Sequence, residues 1–477
     1  DMDYFRFSAK KGDRFYIRAH ARSIASPLDP VLNLYHENGK SIRGNDDADK
    51  GPDSLITQTF PKDGEYILRI RDHLGQGSPR HVYRIETDRI TAKISGLIPK
   101  FGNRDSQSRQ MIPVPQGGKV ATVLSLNRKN FSGAIELIAG NLPPKVFMTA
   151  PRTPNNLNTV TLLFEASPDA PKSATLSNLK LIHKNENKEK EIFGEFNHQV
   201  ELVYGPPNNQ CYYDSSFHRL PVAVVDPVPF TVKLHPPKTP IVQGGSMNLK
   251  VEIFRDANFT EDITVKILAR PTGLGARSSI KIKGTQSSGF YPLTANGNAE
   301  TGRWKIAVQG EAKGQGGGSL LAASDFIELD IEEPYVQGKL NMSAIQKGDK
   351  GTVTCILSIL RPFSGKGQIV LKGLPPLTTC PPLSFDGNTS LVSFPIEVSE
   401  KAQPGITKNL FCFAKIPFQN SMIVQTVGQG GQIRIDHPPP KAKTTSRTPI
   451  KESTSQTKTK AISRLEQLRA KAKSPAN

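Results

Sequence analysis

The stretch Arg14-Phe15-Tyr16-Ile17-Arg18-Ala19-His20-Ala21-Arg22 decides the fold class. Phe15, Ile17, Ala19 and Ala21 fall on one face, and Arg14, Tyr16, Arg18 and His20 on the other. That period of two belongs to a half-buried strand, not to a helix. Further along, Val31, Leu32, Leu34 and Tyr35 form a second run, closed by Asn38-Gly39. Ile67, Leu68 and Ile70 sit in a third, launched by Lys62-Asp63-Gly64. Short strands at roughly ten-residue spacing predict an antiparallel sandwich.

Beyond residue 89 the chain repeats a pattern three times. The units run through 120–128, 131–137 and 140–144, then 249–255 and 259–265, then 353–361, 363–371 and 373–376. Each reads as a strand, an Arg (Arg128, Arg255, Arg361), a Phe in a turn (Phe131, Phe259, Phe363) and a second strand. A later strand then meets an Ala-containing turn at Ala170, Ala299 or Ala402. A period of this length signals duplication of whole domains, because solenoid repeats run about 20–50 residues. The spacing predicts immunoglobulin-like sandwiches.

The 477 residues include 39 Gly and 38 Pro, and 36% are hydrophobic. Such a chain fills several small cores built from short elements. The expected class is all-β: tandem antiparallel β-sandwiches, one jelly-roll-like and about three immunoglobulin-like, with a disordered basic tail. Proline-rich joints set the expected boundaries at 1–88, 89–207, 208–333, 334–437 and 438–477. The tail carries ten Lys or Arg against Glu452 and Glu466, about +8 of the net +19. It has too little apolar surface to offset the entropy of ordering, although 462–473 has the pattern of a marginal amphipathic helix. A diffuse positive charge implies attraction to anionic polymers. The tail has no aromatic residue for base stacking, so specific nucleic-acid recognition is not expected. No run approaches a membrane span of about 20 apolar residues.

Residues 1–88 resemble the bacterial pre-peptidase C-terminal domain family. The likeness rests on Asp1 and Asp3 with Tyr4-Phe5-Arg6-Phe7, Lys11-Gly12, the run from Ser26 to Leu32, Gly39-Lys40, Asn45-Asp46-Asp47, Asp53-Ser54, Asp63-Gly64-Glu65-Tyr66, Arg71-Asp72 and Tyr83-Arg84. The resemblance implies a small jelly-roll-like sandwich, lacking its usual first strand here, in an exported bacterial protein and often beside a protease. An upstream strand and export signal are therefore expected. The later repeats resemble the immunoglobulin-like modules of large secreted bacterial proteins. Together these imply a secreted, periplasmic or cell-surface chain that binds protein or polysaccharide at the envelope. The second reading is the accessory C-terminal region of a secreted subtilisin-like or other protease.

Catalytic signatures are missing from the sequence. It contains no Gly-x-Ser-x-Gly elbow and no His-Glu-x-x-His, and its nine His are scattered. No catalytic or cofactor-binding residue is assigned. The glycine runs at 314–318 and 428–431 are each followed by strand-like sequence, so they read as hairpin loops and not phosphate loops. Asn45, Asp46, Asp47, Asp49 and Asp53 form a dense acidic cluster. Calcium takes several converging oxygens, and some domains of the resembled family bind it, so Asp46 and Asp47, with Asp29 and Asp53, are candidate calcium ligands. Equally, such Asp side chains shape turns by accepting backbone N–H groups. Of the four Cys, Cys355 and Cys412 alternate with inward-facing apolar residues, early and late in the last sandwich. They are candidates for an inter-sheet disulfide, for a buried reduced pair, or for partnership with Cys380. Cys211 reads as unpaired.

Overall fold

The computed structural model describes residues 2–48, 51–99, 111–155, 157–184, 191–207, 210–314 and 316–438. Asp49, the end of the chain from 439 and the helical pattern at 462–473 lie outside the described residues. The regular structure described is strand throughout, apart from one three-residue 3-10 turn at Arg22–Ile24.

Four hydrophobic cores follow one another along the chain. The first lies between a sheet of Met2–Ala9, Gly64–Asp72, Pro30–His36 and Ser41–Asn45 and a sheet of Leu55–Thr59, Arg14–His20 and Arg84–Arg89. Phe15, Ile17, Ala19 and Ala21 are buried as their alternation requires. Phe7, Phe15, Phe60 and Tyr66 pack edge-on or tilted around one point, with ring centroids 4.5 Å apart for Phe60 and Tyr66.

The other three modules share one plan. In the fourth, Val336–Leu340, Lys350–Ile359, Leu391–Val398 and Thr378–Thr379 form one sheet. Ser421–Asp436, Gly405–Phe418, Gly367–Lys372 and Leu383–Phe385 form the facing one. In every module a short strand turns through a left-handed glycine and runs parallel to the module's last strand. Ile112–Pro115 pairs with Leu220–Val225, Ile241–Val242 with Ile327–Glu332, and Ser343–Gln346 with the end of Ser421–Asp436. The glycines are Gly117, Gly244 and Gly348, at φ of 67°, 73° and 85°. Only glycine adopts that backbone without steric cost.

The sequence repeat acquires a physical meaning here. Each repeated Arg lies at or just beyond a strand end and donates to oxygens of neighbouring segments. Arg255 donates to Gln286 O and Lys283 O, and Arg361 to the Glu332 carboxylate and Glu333 O. Each repeated Phe caps a core edge against another ring: Phe131 on His183, Phe259 on Phe230, Phe363 on Phe385. Each repeated Ala is buried in a turn that donates its N–H three residues back, Ala170 to Ser167, Ala299 to Asn296 and Ala402 to Ser399, all at 3.0 Å.

Two expectations need correction. The strand Leu220–Val225 completes the second module, so the passage to the third core falls near 226–229 and not at 207/208. The prolines at 206 and 207 misled because they sit in a loop inside the second module. The run Gly314 to Gly318 does close a hairpin between Val308–Lys313 and Ser319–Ala323, but the run at 428–431 lies within the strand Ser421–Asp436. There Leu340 crosses so closely that a Cβ on Gly431 would meet its Cδ1 at 2.6 Å. Glycine is required for packing at that point, not for turning.

The modules are joined by direct contacts. Gly245 and Ser246 pair with Gln425 and Val424, making one sheet continuous across the third and fourth modules. Ala121, Leu163 and Ala323 bury a small cluster between the second and third, and Ala121 N donates to Gln309 Oε1 at 2.8 Å.

Candidate functional site

The last strand loses its regular pairing at the same place in all three repeated modules. The third has a gap at 324–326, and in the fourth the continuous strand bulges across 428–430. In the second the irregularity has grown into a hairpin. Ile192–Phe196 and Leu220–Val225 both pair with Ala174–His183, and residues 197–219 leave the sandwich between them. The inserted strands His198–Gly205 and Gln210–Phe217 pair only with each other.

Exposed aromatic and apolar side chains cluster on this hairpin. Tyr212 is 58% exposed, Tyr213 62% and Phe217 50%, with Leu202 and Val203 also exposed. Two register shifts, beside Leu202 and Tyr212, twist the ladder. The Tyr212 hydroxyl donates to Pro206 O at 2.6 Å, pinning its ring, and the Tyr204 hydroxyl meets the Glu201 carboxylate. Val200 is buried and anchors the base. Tyr offers large rigid area at low entropy cost, which gives such a ladder the chemistry to contact another molecule. Sequence reading missed this site. The signal was present in the unusual run Gln210-Cys211-Tyr212-Tyr213, but it was placed at a boundary between domains.

The candidate calcium ligands are not gathered into one shell. The Asp53 carboxylate accepts the N–H groups of Ala21, Arg22 and Ser23 at 2.8–3.1 Å. Burial alone would raise its pKa, yet the Ser23 side chain and these three N–H groups hold it below 3.8. Asp46 lies 3.9 Å from His73 Nδ1 across the surface. The backbone of Asp29 serves Asp72 and His73, while Asp47 accepts Asn45 Nδ2 through its carbonyl. Among the described residues no three His, Cys, Asp or Glu side chains converge as a metal site.

Cys355 and Cys412 do meet. They stand on the two facing sheets of the fourth module, both fully buried in one core and not bonded to each other in the structure. The neighbouring Cys355 thiol and burial push the Cys412 thiol upward, while the same neighbour draws the Cys355 thiol downward. Cys380 is half-buried beside the same core, and burial raises it to about 11.

One constellation imitates a hydrolytic triad. His20 sits 3.3 Å from Ser23 Oγ and 2.9 Å from Glu86 Oε2. Ser23 belongs to the turn whose backbone N–H groups Asp53 gathers, and at 3.3 Å its contact with His20 is long for a hydroxyl held by a base. Ser78 and His81 are 2.8 Å apart, but neighbouring Asp72 spends its carboxylate on the N–H groups of Asp29, Leu74 and Gln76. No described helix is long and apolar enough to cross a membrane.

Comparison with known proteins agrees with this geometry at the N-terminus. A 71-residue segment is 44% identical to a "probable subtilase-type serine protease" of Deinococcus radiodurans, covering 15% of this chain and 10% of that protein. The chain thus spans about a tenth of the curated relative it matches. Among solved structures, the Escherichia coli adhesin FdeC is 13% identical over 72% of this chain and 96% of its own, with a TM-score of 0.16. Escherichia coli alpha-2-macroglobulin is 12% identical over 89% of this chain and 28% of its own, with a TM-score of 0.19. Residues 1–72, the greater part of the first sandwich, match the family model of the bacterial pre-peptidase C-terminal domain.

Proposed function

We propose that this chain is an exported, non-catalytic binding and scaffolding protein whose inserted hairpin grips a protein partner at the bacterial envelope. One observation carries the reading: exposed Tyr212, Tyr213 and Phe217 stand on a ladder that the sandwich does not need for its own core. The joined modules hold that ladder away from the rest of the chain, which is what a scaffold contributes. Replacing Tyr213 and Phe217 with Ala should leave the melting profile unchanged and weaken partner capture from envelope extracts at least tenfold, a loss of about 1.4 kcal/mol. Unchanged capture would reject the hairpin as the contact.

The N-terminal match favours a second reading, in which the chain is the accessory region of a secreted protease. It separates from the first by assay: a scaffold retains its partner intact, whereas an accessory region delivers substrate to a protease on the same polypeptide. In either reading Cys355 and Cys412 close an inter-sheet disulfide when exported, by exchange with an external disulfide.

A further inference from the structure

We infer that the cleft between the second and third modules is a binding site for a carboxylate-bearing polysaccharide, independent of the hairpin. Its volume is about 690 Å³, within the range of sites that hold a small organic ligand and much too large for a lone ion. Its walls bring Arg152 of the second module together with Arg270, Arg303 and Lys305 of the third, against one carboxylate, Glu300. Arg303 is paired outside the cleft with Glu328 and Asp330. Arg270 makes one long contact to Ala276 O at 3.4 Å, and among the described residues neither it nor Lys305 has an ion-pair partner. Arg270 and Lys305 are thus two exposed cations bordering the shared space, while Arg152 and Glu300 have partners of their own.

The remaining wall chemistry selects the body of the ligand. Trp304, the one Trp of the chain, lines the cleft half-buried, and its indole N–H is already donated to Glu300 O at 3.2 Å. What it offers is therefore ring surface, not a donor. Pro151, Pro154 and Pro271 also line the space and bring no N–H. Such walls give an incoming peptide backbone few ladder partners, whereas a sugar ring lays its C–H face on Trp and Pro and turns its carboxylate to the cations. The two walls are held in register by the Ala121, Leu163 and Ala323 cluster and by Lys119 bonded to Asp325, so the cleft is preformed.

Trp304 also supplies the test. Titrating the full chain with a short oligogalacturonate at low salt should change its fluorescence saturably, and salt should weaken the binding. Arg270→Glu with Lys305→Glu should weaken binding by about tenfold or more per reversed charge while the melting profile holds. Arg270→Ala with Lys305→Ala, a gentler pair, should weaken it in the same direction should the reversal disturb folding. Trp304→Phe, followed by calorimetry, should retain measurable but weaker binding. No saturable change, an equal response to a neutral galacto-oligosaccharide or to polyglutamate, or binding indifferent to Arg270 and Lys305 would each overturn the inference.

Discussion

Arg128→Met removes the most heavily used side chain of the second module. The guanidinium donates to Gly133 O at 3.0 Å, Leu157 O at 2.7 Å, Asn158 Oδ1 at 3.3 Å, Thr153 O at 3.2 Å and Pro154 O at 2.9 Å. Four of the five acceptors are backbone carbonyls, Gly133 O in one loop and Thr153 O, Pro154 O and Leu157 O in another, so the guanidinium ties the two together; Thr153 O and Pro154 O also accept the N–H groups of Ile135 and Leu157. Burial lowers the arginine's pKa, which marks a charge partly removed from water and held there by those oxygens. A neutral hydrogen bond contributes about 0.5–1.5 kcal/mol and one to a charged group about 1.5–3, but five that share one guanidinium do not add fully. The carbonyls nearest the surface will regain water. We expect a loss of about 3 kcal/mol, which in a module of this size moves the transition by roughly 10 °C. Arg128→Lys should recover less than half, since an ammonium cannot span the fork. Lys350→Met is the control. It breaks a pair with Glu397 in which both side chains are more than half exposed, and should cost less than about 0.5 kcal/mol. Calorimetry resolves the module's transition, and hydrogen exchange at 151–158 localises the effect. An Arg128→Met protein within about 0.5 kcal/mol of the parent, or no more affected than Lys350→Met, would refute the carbonyl-gathering role.

Three further outcomes follow from the same geometry. Asp53→Asn should destabilise the first module by about 2 kcal/mol, because an amide offers one acceptor to three N–H groups and brings donors of its own. Since Asp53 is held below 3.8 when folded, its contribution is present above that pH and is lost as pH falls through the lower folded value, so the Asn variant should lose the acid-side slope of the parent below about pH 4. Gly273→Ala should cost about 2–3 kcal/mol by chemical denaturation, as φ is +81° and the new Cβ would lie 2.5 Å from Ala299 Cα. Oxidising Cys355 and Cys412 should raise the fourth module's stability by about 4 kcal/mol, from closing a loop of about 58 residues. Four titratable thiols in the denatured, unreduced exported protein would contradict that bridge.

Alternation made the architecture legible. Phe15, Ile17 and Ala19 point inward because a strand cannot place them otherwise, and the repeated Arg, Phe and Ala do the same work in each module. The end of the second module was hidden, because proline marks a turn without saying whether the chain then leaves the domain or returns to it. The hairpin was hidden for the same reason. The acidic cluster around Asp46 showed where turns form, but convergence of oxygens is a property of three-dimensional placement. The cleft cations come from loops and an edge strand more than a hundred residues apart, and no local pattern joins Arg152 to Lys305.

The most direct measurement excises residues 198–217 and joins Asn197 to His218 through a short glycine linker. If the sandwich is complete without the ladder, as the short gap at 324–326 and the bulge at 428–430 indicate, the second module's melting transition stays within about 0.5 kcal/mol of the parent and envelope-partner capture is abolished. Retained capture at parental affinity, or a second module that no longer folds, would contradict the account.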